Sequence, residues 1–261
     1  MIKLYILNSL DWHADQLIYH SLPLNSIEAL FIHTTSMPYV CIGYNYDIDL
    51  IDKNYCKKNK IPIFRREIGG GCVYLDSEQL LYHIVLNREN KLVPYKKEEL
   101  FKKFLIPVLD TLEDIGLSGR IVNRDIFVNG KKISGNGGGE IEDFIVLGGN
   151  IIVDFDYERC ANIFNFDKSK LYEAMKKNIT TVRNELGKGW NVELLIPILV
   201  ENFKNFFCGL EVEKLPKEVM NIANELKKKY IKKRWLERKR NGKKEIKVVE
   251  GVVLNASTSN N

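Results

Sequence analysis

The stretch Arg65-Arg66-Glu67-Ile68-Gly69-Gly70-Gly71-Cys72-Val73-Tyr74 decides how the rest of the chain is read. It joins a strand predicted at Pro62–Arg65 to strands predicted at Cys72–Leu75 and Leu80–Leu86. Each glycine in such a run loses about 1 kcal/mol relative to alanine, because the unfolded chain is freer there. Two demands justify that loss. One is a tight turn with positive φ; the other is a ligand that touches backbone where a Cβ would stand. Two adjoining arginines favour an anion, since a guanidinium grips phosphate or carboxylate through two parallel hydrogen bonds. Free loop N–H groups add to such a nest. No Gly-Lys-Ser/Thr follows, so this is not a P-loop, and the chain continues as strand, so it is not a dinucleotide fingerprint. A glycine-rich hairpin beside a surface arginine pair fits the same residues.

A second segment runs Asp125-Ile126-Phe127-Val128-Asn129-Gly130-Lys131-Lys132-Ile133-Ser134-Gly135-Asn136, followed by Gly137, Gly138 and Gly139. Asn-Gly is a strong hairpin signal because both residues tolerate positive φ. The hairpin sets Asp125 and Lys132 on adjoining strands. A lysine there is a point charge able to hold a phosphate and a carboxylate together, as adenylation of an acid requires. The same two lysines also suit a solvated edge strand.

Outward from these segments the chain reads as α/β (α+β), a mixed β-sheet flanked by helices. Strands are predicted at Ile2–Leu7, Ala29–His33, Tyr39–Ile42 and Phe144–Val153, the last with a Gly148-Gly149 break. Helices are predicted at Asp11–Ser21, Asp49–Asn59, Tyr157–Ile163, Lys168–Met175, Val192–Phe206 and Lys217–Trp235. Lys97–Ile115 reads as one helix, because Leu100, Phe104, Val108, Leu112 and Ile115 recur at spacings of three and four. A catalytic domain is expected over 1–236, with 237–261 as a short basic tail holding one further strand at Ile246–Leu254 and a frayed Asn255–Asn261.

Of 261 residues, 45% are hydrophobic and 28% charged, which excludes a disordered chain. The net charge of +5 is too small to indicate a nucleic-acid binder, and no arginine-rich stripe supports one. No run approaches the roughly 20 apolar residues of a membrane span. The five cysteines, at 41, 56, 72, 160 and 208, form no CxxC pair, so neither a zinc site nor a disulfide framework is expected. A cytoplasmic setting is the default.

The two segments, in this order and spacing, resemble the lipoate–protein ligase A family of the biotin/lipoate ligase superfamily. Arg65 to Val73 matches its Arg-Arg-x-x-Gly-Gly-Gly-x-Val loop, and Lys132-Ile133-Ser134-Gly135 matches its Lys-x-Ser-Gly strand. Tyr39 to Asn45, Ile151 to Asp156 and Ile179-Thr180-Thr181-Val182-Arg183 resemble further family segments. The resemblance implies a class II aminoacyl-tRNA synthetase-like catalytic domain that uses ATP and Mg²⁺ to adenylate lipoate. It implies that Lys132 contacts the acyl carboxylate and α-phosphate and that Arg66 lies near the phosphates. Gly69, Gly70, Gly71, Cys72 and Val73 would line the pocket, with Ser134, Gly135 and Asn136 beyond the lysine. Asp125 would lie near phosphate and Mg²⁺, and Thr181 and Arg183 on a loop closing over the adenylate. The implied acceptor is a lysine of a lipoyl domain, as in a 2-oxoacid dehydrogenase E2 or a glycine-cleavage H-type protein. The short stretch after Leu236 further implies an accessory domain supplied by a separate chain, with the basic run Lys227–Lys244 as one dock.

The chain departs from the family pattern at several points. Asn123-Arg124-Asp125 replaces Arg-Asn-Asp, and Glu67-Ile68 replaces small or hydroxyl residues. Asn136 and three glycines, then Glu140, Glu142 and Asp143, stand where the family has alanine and a downstream arginine. Gly148-Gly149 replaces His-Gly. These differences fall in the acyl pocket and its lid. An octanoyl transferase working through a cysteine thioester is the alternative. The strand Phe144–Asn150 lacks a cysteine, which leaves Cys72 and Cys160 for that role. A non-catalytic acyl-cofactor-binding relative is another reading. A biotin ligase is disfavoured because its Gly-Arg-Gly-Arg type loop is missing.

Overall fold

The computed structural model describes residues 2–238, 243, 245–249 and 251–255. Its strands are β1 (Lys3–Leu10), β2 (Ala29–Thr35), β3 (Tyr39–Ile42), β4 (Ile63–Arg65), β5 (Val73–Leu75), β6 (Gln79–Asn87), β7 (Gly119–Val122), β8 (Asp125–Val128), β9 (Lys131–Ser134), β10 (Asn136–Ile141), β11 (Phe144–Ile152), β12 (Glu211–Val212), β13 (Glu245–Val249) and β14 (Val252–Asn255). Its helices are α1 (Trp12–Leu24), α2 (Lys53–Lys58), α3 (Lys97–Phe104), α4 (Ile106–Asp114), α5 (Tyr157–Ile163), α6 (Lys168–Asn178), α7 (Val182–Leu186), α8 (Val192–Phe206), α9 (Lys217–Tyr230) and α10 (Lys233–Leu236). None of the described helices is long and apolar enough to cross a membrane.

Six strands form the main sheet in the order β10-β11-β6-β2-β1-β12. β1 runs parallel to β2 and β12, while β2, β6, β11 and β10 pair antiparallel in turn. The sheet is therefore mixed, as expected. Alternate side chains serve its two faces. Leu80, Tyr82, Ile84 and Leu86 of β6 pack with Val108 and Leu112 of α4 and Leu195, Leu199 and Phe203 of α8. Phe31, Val85 and Val146 pack on the other side with Ile18, Tyr19 and Leu22 of α1. A strand covered on both faces needs no polar alternation, which is why β6 is mostly apolar, with His83 the polar residue in its middle.

Smaller sheets frame the front of the molecule: β4-β3-β5, β7-β8-β9 and the pair β13-β14. The Asn-Gly hairpin forms as read, with Asn129 at φ +49° and Gly130 at φ +78° between β8 and β9.

The structure corrects or completes several local expectations. Lys97–Ile115 is two helices, α3 and α4, divided at Leu105. Pro107 supplies the reason: it has no N–H to continue the first helix and is tolerated in the first turn of the second. The Gly148-Gly149 pair does not break β11, which runs unbroken past both residues. The glycine run 137–139 is strand, paired to β11 from Asn136↔Gly149 to Ile141↔Phe144. Ile246–Leu254 is a hairpin, not one strand, and turns at Gly251 with φ +78°. The expected fray at Asn255–Asn261 lies outside the described residues except for the backbone of Asn255.

Candidate active site

The main sheet, the glycine loop and the C-terminal hairpin line an open cavity of about 470 Å³. That volume suits a small-molecule ligand. Arg66, Gly69, Gly70, Gly71, Cys72, Val73, Asp125, Lys132, Gly135 and Asn136 all line it. Ser134, Thr181 and Arg183 do not.

The glycine loop is braced from behind. Arg66 donates Nε–H to Gly69 O at 3.1 Å and Nη2–H to Gly71 O at 2.7 Å. Its Nη1 reaches Cys41 O at 3.3 Å and Cys41 Sγ at 3.4 Å. The guanidinium expected near phosphate thus shapes the loop, and most of its donors are already used by carbonyls. Gly70, at φ +101°, has no room for a side chain, because a Cβ would sit 2.6 Å from Arg66 Nη2. A Cβ at Gly69 would meet nothing within 4 Å. Packing therefore does not require glycine at 69, and the bare backbone there faces open space. Arg65 is fully buried and donates to Gly43 O, Tyr44 O and Tyr46 O, so it orders the preceding turn. Glu67 points away to Lys229 and Tyr230.

Lys132 stands on β9 with its Nζ donating to Val248 O of β13 at 2.8 Å. Burial pushes the ammonium pKa down from its usual value, and the carboxylate of Asp125 partly offsets this. A buried cation bonded to a neutral carbonyl is under-compensated and attracts an anion. Asp125 Oδ1 accepts from Asn136 N at 3.0 Å, and Asn136 Nδ2 donates to Ser134 Oγ at 3.0 Å. Tyr82 hydroxyl donates to Asn136 Oδ1. Ser134, fully buried, is thus a support behind the wall.

The segment 179–183 reaches the site through its backbone. Thr180 N donates to Lys132 O at 2.9 Å, which fixes the strand that carries the lysine. The Thr181 side chain caps α7 by accepting from Asn184 N at 3.0 Å. Arg183 is held by Glu78 at 2.9 Å and Asp154 at 3.0 Å. The two side chains expected over the adenylate are occupied elsewhere.

Several residues of the site were not expected. Asn150 accepts from Gly135 N at 2.8 Å and donates to Gln79 at 2.7 Å. His83, Gln16 and Tyr19 line the cavity end beside Gly148. A polar residue inside an apolar strand, as His83 and Asn150 are, was the available signal. The hairpin residues Ile246, Val248 and Val249 are buried with Phe164, Leu171 and Met175, and line the same cavity. A Cβ at Gly139 would crowd Ile68 at 3.2 Å, and one at Gly148 would strike His83 at 2.6 Å.

Three cysteines, 41, 72 and 160, line the cavity. Burial pushes the Cys72 thiol up to about 12 and raises that of Cys160 further. Neither is a thiolate at neutral pH in this arrangement. Among the described residues, no group of three or more His, Cys, Asp or Glu side chains is placed to hold a metal ion.

Residues 9–204 match the family model for the lipoyl protein ligase A/B catalytic domain. Lipoate–protein ligase 1 of Staphylococcus aureus is 25% identical over 211 residues, 78% of this chain and 61% of that protein. The chain thus spans less than two thirds of the length of that ligase. Octanoyltransferase LipM of Halalkalibacterium halodurans is 22% identical over 86% of this chain and 87% of its own. Among solved structures, the bi-partite lipoate protein ligase of Thermoplasma acidophilum superposes with a TM-score of 0.80 at 20% identity, covering 92% of this chain and 97% of that one. A lipoate-protein ligase A bound with ATP gives 0.77 at 20% identity, covering 90% and 98%. The fold is the one these ligases share, and by the extent of the family match the chain belongs to the lipoyl protein ligase A/B catalytic domain family.

Proposed function

We propose that this chain activates a medium-chain carboxylic acid, lipoate or octanoate, with ATP and passes the acyl group to a lysine of an acceptor protein. The observation that carries this reading is Lys132: a partly buried ammonium in the cavity wall that donates to a neutral backbone carbonyl. An incoming carboxylate and α-phosphate replace that carbonyl and supply the missing negative charge. The acid's oxygen attacks the α-phosphorus and pyrophosphate leaves. Lys132 then stabilises the charge that builds on the phosphoryl oxygens. The acceptor amine attacks the acyl carbonyl, and AMP departs. The bare backbone at Gly69 lets the ligand approach the loop closely.

Mg²⁺ usually keeps several waters and binds one or two carboxylates together with substrate phosphates. Asp125, beside Lys132, fits as such a carboxylate, and the ion would supply charge neutralisation on the polyphosphate. The ATP-bound structural neighbour supports the nucleotide. The Thermoplasma lipoate protein ligase is bi-partite and is paired with an E2 lipoyl domain, which favours a lipoyl-domain acceptor and a second polypeptide for this chain too. Full ligation by the purified chain alone would refute the need for that second chain.

The test is pyrophosphate release from ATP, Mg²⁺ and lipoate or octanoate, followed by mass spectrometry of a lipoyl domain. A second reading, acyl transfer through a cysteine, draws on the LipM relative and on Cys72 and Cys160 in the cavity wall. Their raised thiol pKa values count against it. A trapped acyl thioester with no pyrophosphate would decide for it.

A further inference from the structure

β6 and β11 place His83 directly across from Gly148. The ring fills the space a side chain at 148 would need: a Cβ there would lie 2.6 Å from His83 Cδ2 and 2.7 Å from Nε2.

Behind it runs a buried polar chain. His83 Nδ1 lies 3.1 Å from His33 Nε2, and His33 Nε2 lies 3.6 Å from Asp15 Oδ1. Asp15 in turn accepts from Tyr39 hydroxyl at 2.6 Å and from Gln16 Nε2 at 3.3 Å. Burial holds both imidazoles neutral, so each ring carries one N–H. The proton positions follow from the neighbours. Burial raises the Asp15 pKa to about 7, and its ionised form favours hydrogen on the His33 Nε2 beside it. His83 Nδ1 then accepts, and the His83 proton sits on Nε2, which borders the cavity. Nε2 lies beside the backbone of Gly148 in the cavity wall. The ring is stacked on Tyr19 at 4.4 Å and cannot easily turn away.

The position along the cavity follows from the strands. Lys132 Nζ is 3.8 Å from where a Gly135 Cβ would be, and Gly135 N bonds Asn150. Gly148 lies two residues back on the same face of β11, roughly 7 Å from Asn150. An acid whose carboxylate meets Lys132 runs over the side-chain-free Gly148 toward His83.

We propose that His83 selects the acid: its Nε2–H and ring edge contact a sulfur or other acceptor at the distal end, so the site prefers a dithiolane-bearing acid to an unsubstituted alkanoate. This rests on the reading of the cavity as an acid site. Sulfur is a weak acceptor and packs well against aromatic edges, a preference worth roughly two- to tenfold in affinity.

Equilibrium titration of the full chain with lipoate and with octanoate tests this without any need for turnover. The wild type is expected to bind lipoate two- to tenfold more tightly. His83→Leu is expected to bring the ratio near one, mainly by weakening lipoate. Gly148→Ala, which displaces the ring, lowers the ratio too. The exchange variant His83→Ala/Gly148→His restores it by returning an imidazole from β11. An unchanged ratio in folded His83→Leu and Gly148→Ala, or a wild type that binds neither acid or both equally, overturns the proposal. Pyrophosphate release is followed separately. The expected ratios without pyrophosphate release would uphold His83 and remove the ligase reading.

Discussion

The cavity wall built from β6 and β11 and the wall built from the C-terminal hairpin are held by different forces. β6 is hydrogen-bonded along both edges, to β2 and β11, and its side chains are buried on both faces. β13 and β14 bond to each other; nearby, Lys243 exchanges backbone bonds with Asn45 and Asp47, and Lys132 donates to Val248. A two-stranded hairpin is marginal alone in water. This one is kept in place by Ile246, Val248 and Val249, each contributing about 1.5 to 3 kcal/mol when fully buried. The sheet wall is therefore expected to give the site a fixed shape, and the hairpin wall to open for less than global unfolding. Lys132 stands between them and bonds to the weaker one.

The sharpest way to break this comparison is at Lys132 itself. Lys132→Ala is expected to lower pyrophosphate release by about two to three orders of magnitude, as for loss of one preorganised charge-stabilising donor. Lys132→Arg is expected to fall nearly as far, since a planar fork does not replace a point charge. A loss under threefold in a folded variant would remove the lysine from the chemistry.

Acid sensitivity should belong to the sheet side. His20 of α1 stacks on Tyr19 at 4.6 Å, and Tyr19 backs His83. Burial lowers the His20 pKa to about 4. A depressed folded pKa contributes stability that is present above the unfolded value near 6.5 and is lost as pH falls toward about 4. His20→Phe is expected to shrink the stability difference between pH 7 and pH 4 by about 3 kcal/mol, measured by urea unfolding at both pH values. An identical pH profile would show that this ring is not buried as described.

A paired truncation compares the two walls directly. Ile84→Ala, in β6, should lower stability by about 3 kcal/mol. Ile246→Ala, in β13, should cost about 1 kcal/mol globally, because the hairpin opens before the rest unfolds. Amide exchange of residues 245–249 should accelerate in the second variant alone. Equal global costs would make the hairpin an integral part of the core. The smallest effect is expected for Cys72→Ala, less than twofold on acyl transfer, since its thiol is raised to about 12 by burial. Abolished transfer would restore the thioester route.

Local signals make much of this fold legible in the sequence. The Asn-Gly turn and its flanking β-branched residues specify β8–β9, and with it the strand that carries Lys132. Caps and the spacing of Val192, Leu195, Leu199 and Phe203 specify α8. These are decided over a few residues, by φ preferences and helical periodicity. The glycine loop is legible as a place where backbone must be bare. The reason differs from one glycine to the next. Gly70 makes room for Arg66, while the backbone of Gly69 faces open space.

What the chain's own residues determined was the mixed α/β class, the glycine loop and a lysine on a hairpin. Each follows from short-range backbone chemistry. Only the tertiary structure decided which side chains and carbonyls meet. It turned Arg66 into a brace, withdrew Thr181 and Arg183 from the cavity, brought Val248 to Lys132, and set His83 opposite Gly148. Those outcomes depend on strand register and on the volume left between packed side chains. Neither quantity is encoded locally, because a side chain's neighbours across a sheet are fixed by the pairing of whole strands.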